Sequence, residues 1–187
     1  MTEEELIVRL SDRLSADFAR EAARKVCEAE AVGVLYELVT RKAETLPKPL
    51  RHTLLFRGAY VLETIYFADR TAFFPYAEDF CRRGFPACSD ASARRHFGKI
   101  MADLLGRVHP DPQSLERIAA TAADWVVDPA AKVAVRVWAM EVLKCCRGRI
   151  GWVDESWSDL VEMLTVGASP GIESRIRQIG RASCRER

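Results

Sequence analysis

The segment Asp128–Cys146 limits the possible folds more than any other stretch of this chain. Asp128 and Pro129 predict a helix start, because aspartate caps free amides and proline fits the first helical position. At about 100° per residue, one apolar face then contains Ala134, Val135, Trp138, Ala139, Val142, Cys145 and Cys146. The opposite, polar side is marked by Lys132, Arg136, Glu141 and Lys144, with Val133, Val137, Met140 and Leu143 among them. A helix that is apolar over so much of its surface needs neighbours on several sides.

The rest of the chain shows the same helical periodicity, and no stretch has the pattern of a strand. Thr2 and Glu5 predict a capping box at the start of the first helix. The later helices are expected at about 31–43, 50–67, 71–83, 128–146, 154–165 and from 172 onward. Three more have two possible starts each: Ser15 or Asp17 for a helix to 27, Ser89 or Asp90 for one to 107, and Asp111 or Pro112 for one to 127. These ten helices form five predicted antiparallel pairs.

An arginine recurs in the second helix of each pair, at Arg20, Arg57, Arg95, Arg136 and Arg175. Successive arginines are 37, 38, 41 and 39 residues apart. Two helices in a unit of about 40 residues are typical of HEAT and armadillo-type solenoids. A single pair cannot bury its own apolar faces, whereas stacked pairs form a continuous core.

The stretch Val135-Arg136-Val137-Trp138-Ala139, followed by Leu143, resembles the Val-Arg-x-x-Ala-x-x-x-Leu pattern of HEAT second helices. The chain also resembles a group of small bacterial HEAT-like proteins, through Phe56–Glu63, Asp128–Leu143 and Ala168–Arg175. This resemblance implies an all-α fold, a right-handed α-α superhelix of about five helical hairpins, in one domain over residues 1–178. Some of these relatives are labelled adenylosuccinate lyase. The Ser-Ser-x-Met-Pro-x-Lys-x-Asn loop of that enzyme family does not occur here, so the resemblance does not support lyase activity.

Residues 179–187, Ile-Gly-Arg-Ala-Ser-Cys-Arg-Glu-Arg, break the preceding pattern and resemble the translation of a sequencing-adapter oligonucleotide. An ordinary basic tail is the alternative. We interpret the segment as non-native and exclude it from the fold. The last helix is then expected to be truncated.

The overall composition argues for a cytoplasmic protein that has no membrane association. Lys and Arg total 28 against 27 for Asp and Glu, so no charge surplus favours nucleic acid or membrane. The amino terminus is acidic and lacks the pattern of a secretory signal, and the apolar runs are too short for a bilayer. Six cysteines without a regular spacing predict reduced thiols.

The concave face of such a solenoid is the predicted binding surface. The candidate residues on it are Arg57, Tyr60, Arg94, Arg95, His96, Lys99 and Arg136. The arginine column has a structural alternative, in which each guanidinium bonds helix-end carbonyls or a carboxylate of a neighbouring unit. Repetition at a fixed phase favours that structural role.

A basic segment with interleaved aromatic residues is the basis of a nucleic-acid alternative. It comprises Arg82, Arg83, Arg94, Arg95, His96, Lys99 and Arg107, with Phe85 and Phe97 between them. DNA glycosylases that act on alkylated purines grip duplex DNA with HEAT-like repeats, so this segment could bind phosphates. The balanced charge of the chain argues against that reading.

Other candidate sites favour ordinary packing. Cys81, Cys88 and His96 lack the tight spacing of a zinc site, so we predict no metal and no cofactor. The three histidines have no helix-spaced carboxylate and nucleophile, which predicts no catalytic site. Trp138 is expected in the core. For Trp152, which lies between Gly151 and an expected helix start, the sequence does not decide between a buried and an exposed ring. We therefore expect a non-enzymatic scaffold that binds a protein or peptide.

Overall fold

The computed structural model describes residues 1–12 and 15–165, together with positions 173, 176 and 179. Every regular element within these residues is helical, which confirms the all-helical prediction. The α-helices are α1 (Glu3–Ser11), α2 (Phe18–Glu28), α3 (Val32–Thr40), α4 (Lys48–Ala68), α5 (Ala77–Asp79), α6 (Ala93–Leu104), α7 (Pro112–Val127), α8 (Val133–Cys146), α9 (Gly151–Glu155) and α10 (Trp157–Thr165). Most of the helix predicted from residue 172, including Arg175, lies outside the described residues.

Two compact units make up the chain, residues 1–100 and residues 101–187. In the first unit α4 is the central helix, and it packs against α1, α2 and α3. Beside it lies an aromatic cluster with edge-to-face ring contacts, formed by Tyr66, Phe73, Phe80, Phe85 and Phe97. No helix in the described ranges has both the length and the apolar character needed to cross a bilayer.

The contact between α3 and α4 depends on Gly58. A Cβ added at this position would lie 2.3 Å from Cγ1 of Val39, far inside van der Waals contact. Because cores pack at crystalline density, any larger side chain here would push the two helices apart. Gly58 belongs to the Phe56–Glu63 stretch, so this part of the resemblance corresponds to a packing requirement.

In the second unit α7 and α8 pack against each other, and α10 contacts both. The helix α7 begins at Pro112, one of the two predicted starts, and the Asp111 side chain caps it by accepting the backbone N–H of Ser114 at 3.0 Å. From Ala139 to Cys146 every residue of α8 is buried, so this helix does have neighbours on several sides. Earlier in α8 the predicted apolar face is wrong in part, since Ala134 is exposed and Trp138 is only half-buried.

Two residues expected on the polar side of α8 are instead buried. Glu141 is 5% exposed and Lys144 is 4% exposed. Their side chains form an ion pair of 2.9 Å, which is how both charges are accommodated inside the unit.

Asp128 and Pro129 do not start α8, contrary to the prediction. The N–H of Asp128 still donates to the carbonyl of Asp124, so this residue ends α7. Its side chain accepts the N–H of Ala130 at 2.9 Å, forming a local turn that contains Pro129. Because that turn competes with a helix cap, α8 begins later, at Val133.

The single helix predicted over residues 71–83 is also wrong. The chain forms short 3₁₀ turns at Arg70–Ala72 and Phe74–Tyr76, then α5, then a π-helical turn at Phe80–Gly84. Asp69 accepts the N–H of Thr71 and so sets up the first of these turns. Pro75 lies at the start of the second turn, and a helix running from residue 71 could not continue through it, because proline has no N–H to donate.

Candidate functional site

Four arginines of the predicted column lie in the expected helices: Arg20 in α2, Arg57 in α4, Arg95 in α6 and Arg136 in α8. Their environments differ. Arg20 is exposed and pairs with Asp17 at the start of its own helix. Arg95 is also exposed. The column therefore does not have one common role, and the two remaining arginines are turned towards the protein.

Arg57 and Arg136 both bind the carboxyl ends of other helices. Arg57 Nη1 donates to the carbonyl of Leu10 at 2.8 Å and to that of Asp12, at the end of α1. Arg136 donates to the carbonyls of Val126 and Met163, at 2.8 and 2.9 Å. Since these carbonyls belong to the last turns of α7 and α10, both guanidinium groups satisfy helix ends. The structural alternative holds for these two predicted binding residues.

A buried polar network connects α4 to α6 in the first unit. Glu63 of α4 accepts a hydrogen bond from Lys99 Nζ at 2.7 Å on Oε1, and its Oε2 pairs with Nδ1 of His96. The side chains of Glu63 and His96 are 10% and 6% exposed, and that of Lys99 is 21% exposed. Both carboxylate oxygens are thus used to fix two side chains of the neighbouring helix.

The electrostatics of this network keep Glu63 ionised. Burial acts to raise the pKa of Glu63, but the hydrogen bonds and charges of His96 and Lys99 outweigh it. The pKa of Glu63 is therefore held below its usual value of 4.5. A charged acceptor strengthens hydrogen bonds, so both bonds to Glu63 are charge-assisted at neutral pH.

Tyr60 stacks on this network from the outside. Its ring lies over the His96 ring, with centroids 5.0 Å apart and planes 24° from parallel. The Phe56 ring, one turn earlier in α4, lies beside the same imidazole, with the two ring centroids 5.6 Å apart. Tyr60 nevertheless keeps 41% of its surface exposed. We name Phe56, Tyr60, Glu63, His96 and Lys99 the Tyr60 patch.

The Tyr60 patch is suited to binding. Glu63 has both oxygens engaged and His96 is buried, so neither group is placed to exchange protons with a substrate. The exposed parts of the patch include portions of the Tyr60 and Lys99 side chains. Such side chains recognise other molecules by stacking and hydrogen bonding.

Three of the seven predicted site residues, Tyr60, His96 and Lys99, are brought together in this patch. Arg94 is held at the preceding loop, where its Nε donates to the carbonyl of Cys88 at 3.5 Å. The sequence analysis missed Glu63 and Phe56. Residues 56, 60 and 63 lie at i, i+4 and i+7, so their shared helix face was the available signal.

The basic segment does not form the predicted aromatic and cationic surface. Phe85 and Phe97 are 0% and 1% exposed, so neither ring can stack on a base. Carboxylates pair with five of its seven basic residues, namely Arg82, Arg83, His96, Lys99 and Arg107. The phosphate-binding interpretation therefore gains no support from the described residues.

A second charged cluster in the first unit surrounds Asp79, and it connects neighbouring elements of the fold. Tyr36 donates to Oδ2 of Asp79 at 2.8 Å, and Arg41 and Arg83 also bond this carboxylate. Burial and the hydrogen bond to Asp79 raise the pKa of Tyr36 far above its usual range. Tyr36 is fully buried and stacks on Tyr76, so the cluster anchors α3 to the segment around α5.

Within the described residues no group of three or more His, Cys, Asp or Glu side chains could hold a metal ion. Cys81 is buried, and Cys88 is half-buried near the carbonyl of Asp90. In α8 both Cys145 and Cys146 are buried, as predicted. Cys145 is disulfide-bonded, so the prediction of reduced thiols is wrong for this residue. Cys146 is a free thiol, and burial raises its pKa to about 12. That thiol is a packing group, because it stays protonated at physiological pH.

No protein-family model, no curated protein and no solved structure matches this chain. The functional argument therefore rests on the geometry of the described residues.

Proposed function

We propose that this chain is a non-enzymatic, HEAT-like helical-repeat scaffold that binds a protein or peptide partner through the Tyr60 patch. The observation that carries the proposal is the exposed Tyr60 ring, stacked on a buried Glu63–His96–Lys99 network. Tyrosine and arginine are enriched among the residues that dominate protein interfaces.

The burial of Glu63 supports a role beyond stability. A buried ion pair contributes little net stability compared with well-packed apolar side chains, because its charges must be desolvated. Here the buried charges fix the ring of an exposed tyrosine. A side chain that is already fixed loses less conformational entropy when a partner binds, so preorganisation increases affinity.

The exposed groups favour an acidic or carbonyl-rich segment as the partner. Lys99 is partly exposed at the edge of the patch, and Arg95 on the same helix is exposed. The Tyr60 hydroxyl can donate to a carboxylate or a main-chain carbonyl. An extended acidic peptide could use these groups together.

The repeat interpretation is supported by the placement of the arginines. Arg57 and Arg136 lie in the second helices of two predicted pairs, and each binds the carboxyl end of a first helix. Arg57 binds α1 of the preceding pair, whereas Arg136 binds α7 of its own pair, so what the two share is the bonding of a helix end. A stacked superhelix remains part of the proposal.

The proposal can be tested by capturing partners on the tagged full-length chain and quantifying them by mass spectrometry. Three forms are compared: the unchanged chain, Tyr60→Ala and Phe67→Ala. Phe67 is a matched control, because it lies on the same helix and is 42% exposed. Candidate partners are then purified and their direct binding is measured.

The Tyr60→Ala variant is expected to bind such a partner about tenfold or more weakly, as for a central interface residue. Phe67→Ala should bind like the unchanged chain. Equal binding by all three forms would contradict the proposal. Retention of nucleic acid in place of protein would contradict it as well.

A further inference from the structure

A cleft of about 480 Å³ lies in the second unit. One wall is formed by Pro110 and Pro112, before and at the start of α7, and by Leu115 and Glu116 within that helix. Residues 149–152 form the opposite side. Clefts that hold small molecules have volumes in the range of about 300 to 1,000 Å³, so this one is large enough for a ligand with a single ring system.

Trp152 is fixed in place at this cleft. Its indole Nε1 donates to Oε1 of Glu116 at 2.6 Å, which ties α9 to α7. Trp152 is half-buried and is one of the residues that line the cleft. Proline rings are rigid, and together with a fixed indole they provide flat apolar walls that suit an aromatic ring.

The cleft also contains an exposed cation. Arg149 lines the cleft and forms no ion pair with any carboxylate of the described residues. Arg147, two residues earlier, does have such a partner, because it pairs with Asp154 and lies over the Trp157 ring. A guanidinium is well suited to a carboxylate, which it can bind through two parallel hydrogen bonds.

Glu116 restricts the ligand further. Its Oε1 accepts the bond from Trp152, which leaves Oε2 able to accept a second hydrogen bond. A purely anionic ligand would be repelled by this carboxylate unless it also supplied an N–H group. We propose that the cleft binds an aromatic carboxylate that carries an N–H donor, with its ring beside Trp152 and its carboxylate on Arg149.

The test uses indole-3-acetate as the probe and the full chain labelled with nitrogen-15. The indole N–H signal of Trp152 is assigned by its loss in Trp152→Phe, and the probe is titrated while that signal is followed. We expect a saturable shift. Indole-3-acetamide lacks the charge and benzofuran-3-acetate lacks the N–H, so each should bind about tenfold or more weakly.

Two variants and one control locate the site. Arg149→Gln should weaken indole-3-acetate binding about tenfold or more. Gly151→Leu should block it, because Gly151 lines the cleft and a Cβ added there meets no atom within 4 Å. Arg117→Gln removes the same charge from an exposed position of α7 that does not line the cleft, and it should bind normally.

Any of three results would overturn the proposal: no saturable shift at millimolar probe, equal binding of the acid and the amide, or equal losses in Arg149→Gln and Arg117→Gln. Thermal unfolding of each variant verifies that it is folded. The cleft and the Tyr60 patch share no residue, so Tyr60→Ala should leave this binding unchanged.

Discussion

Glu63 in the first unit and Glu141 in the second are both buried carboxylates that bind a lysine, but their partners lie in different places. Lys144 is three residues from Glu141 on the same helix. Lys99 belongs to α6, whereas Glu63 belongs to α4. The Glu141–Lys144 pair can therefore form within one helix. The Glu63–Lys99 pair can form only when α4 and α6 are packed in the correct register.

The surroundings of the two pairs differ in the same way. Glu141 and Lys144 are both almost fully buried, so this pair presents no group at the surface. The Glu63 network includes His96 and, through it, the exposed ring of Tyr60. We therefore assign a functional role only to the Glu63 network, because it contacts a side chain that is exposed at the surface.

The largest expected effect is on the pair in α8. Lys144→Met leaves the Glu141 carboxylate buried without this partner, which should lower the free energy of unfolding by about 3 kcal/mol or more. Lys99→Met should cost only about 1 kcal/mol, because water reaches this partly exposed site. Urea unfolding of both variants measures the difference.

The double variant Glu141→Leu/Lys144→Met is the control for this comparison. Replacing both charges by apolar groups should restore most of the lost stability. If Lys144→Met and Lys99→Met cost the same, the contrast between the two units would be wrong.

A medium effect is expected where the two units use the same device. Arg57→Met and Arg136→Met each remove a charged donor from two carbonyls, so each should cost about 1–2 kcal/mol. Arg95→Met changes an exposed arginine and should alter the free energy of unfolding by less than about 0.5 kcal/mol. Equal losses at Arg57, Arg95 and Arg136 would show that this arginine column has a single role.

A smaller effect than that of Lys144→Met is expected at Glu63, and it depends on pH. Glu63→Gln keeps the shape but loses the charge, which should cost about 1 kcal/mol at pH 7. Because the folded pKa of Glu63 is lowered, its contribution is present above 4.5 and is lost as the pH falls through the folded value. The difference in unfolding free energy between the two proteins should therefore shrink on acidification. A constant difference would contradict this linkage.

Local signals in the sequence were enough for most helices. Thr2 caps its helix as predicted, because a cap depends on only three or four neighbouring residues. Asp128 carried the same signal and was misread, since its side chain closes a turn instead. The segment after Asp69 was misread because Pro75 and tertiary aromatic packing interrupt a helical pattern.

The site could be predicted only in part. Tyr60, His96 and Lys99 were among the predicted residues because they are aromatic or basic residues of second helices. Glu63 was missed, since its partner His96 is 33 residues away and the pairing follows from the packing of α4 on α6. The Trp152 cleft was missed for the same reason, because its walls come from separate helices.

The central claim is that a buried network holds an exposed ring in place, and fluorine NMR of 3-fluorotyrosine-labelled protein tests it most directly. The Tyr60 signal is assigned by its loss in Tyr60→Phe. In the unchanged protein it should be displaced from the position of a freely exposed tyrosine, because the ring lies over His96. Glu63→Gln should move it towards that position at pH 7. An unchanged Tyr60 signal in folded Glu63→Gln would contradict the account.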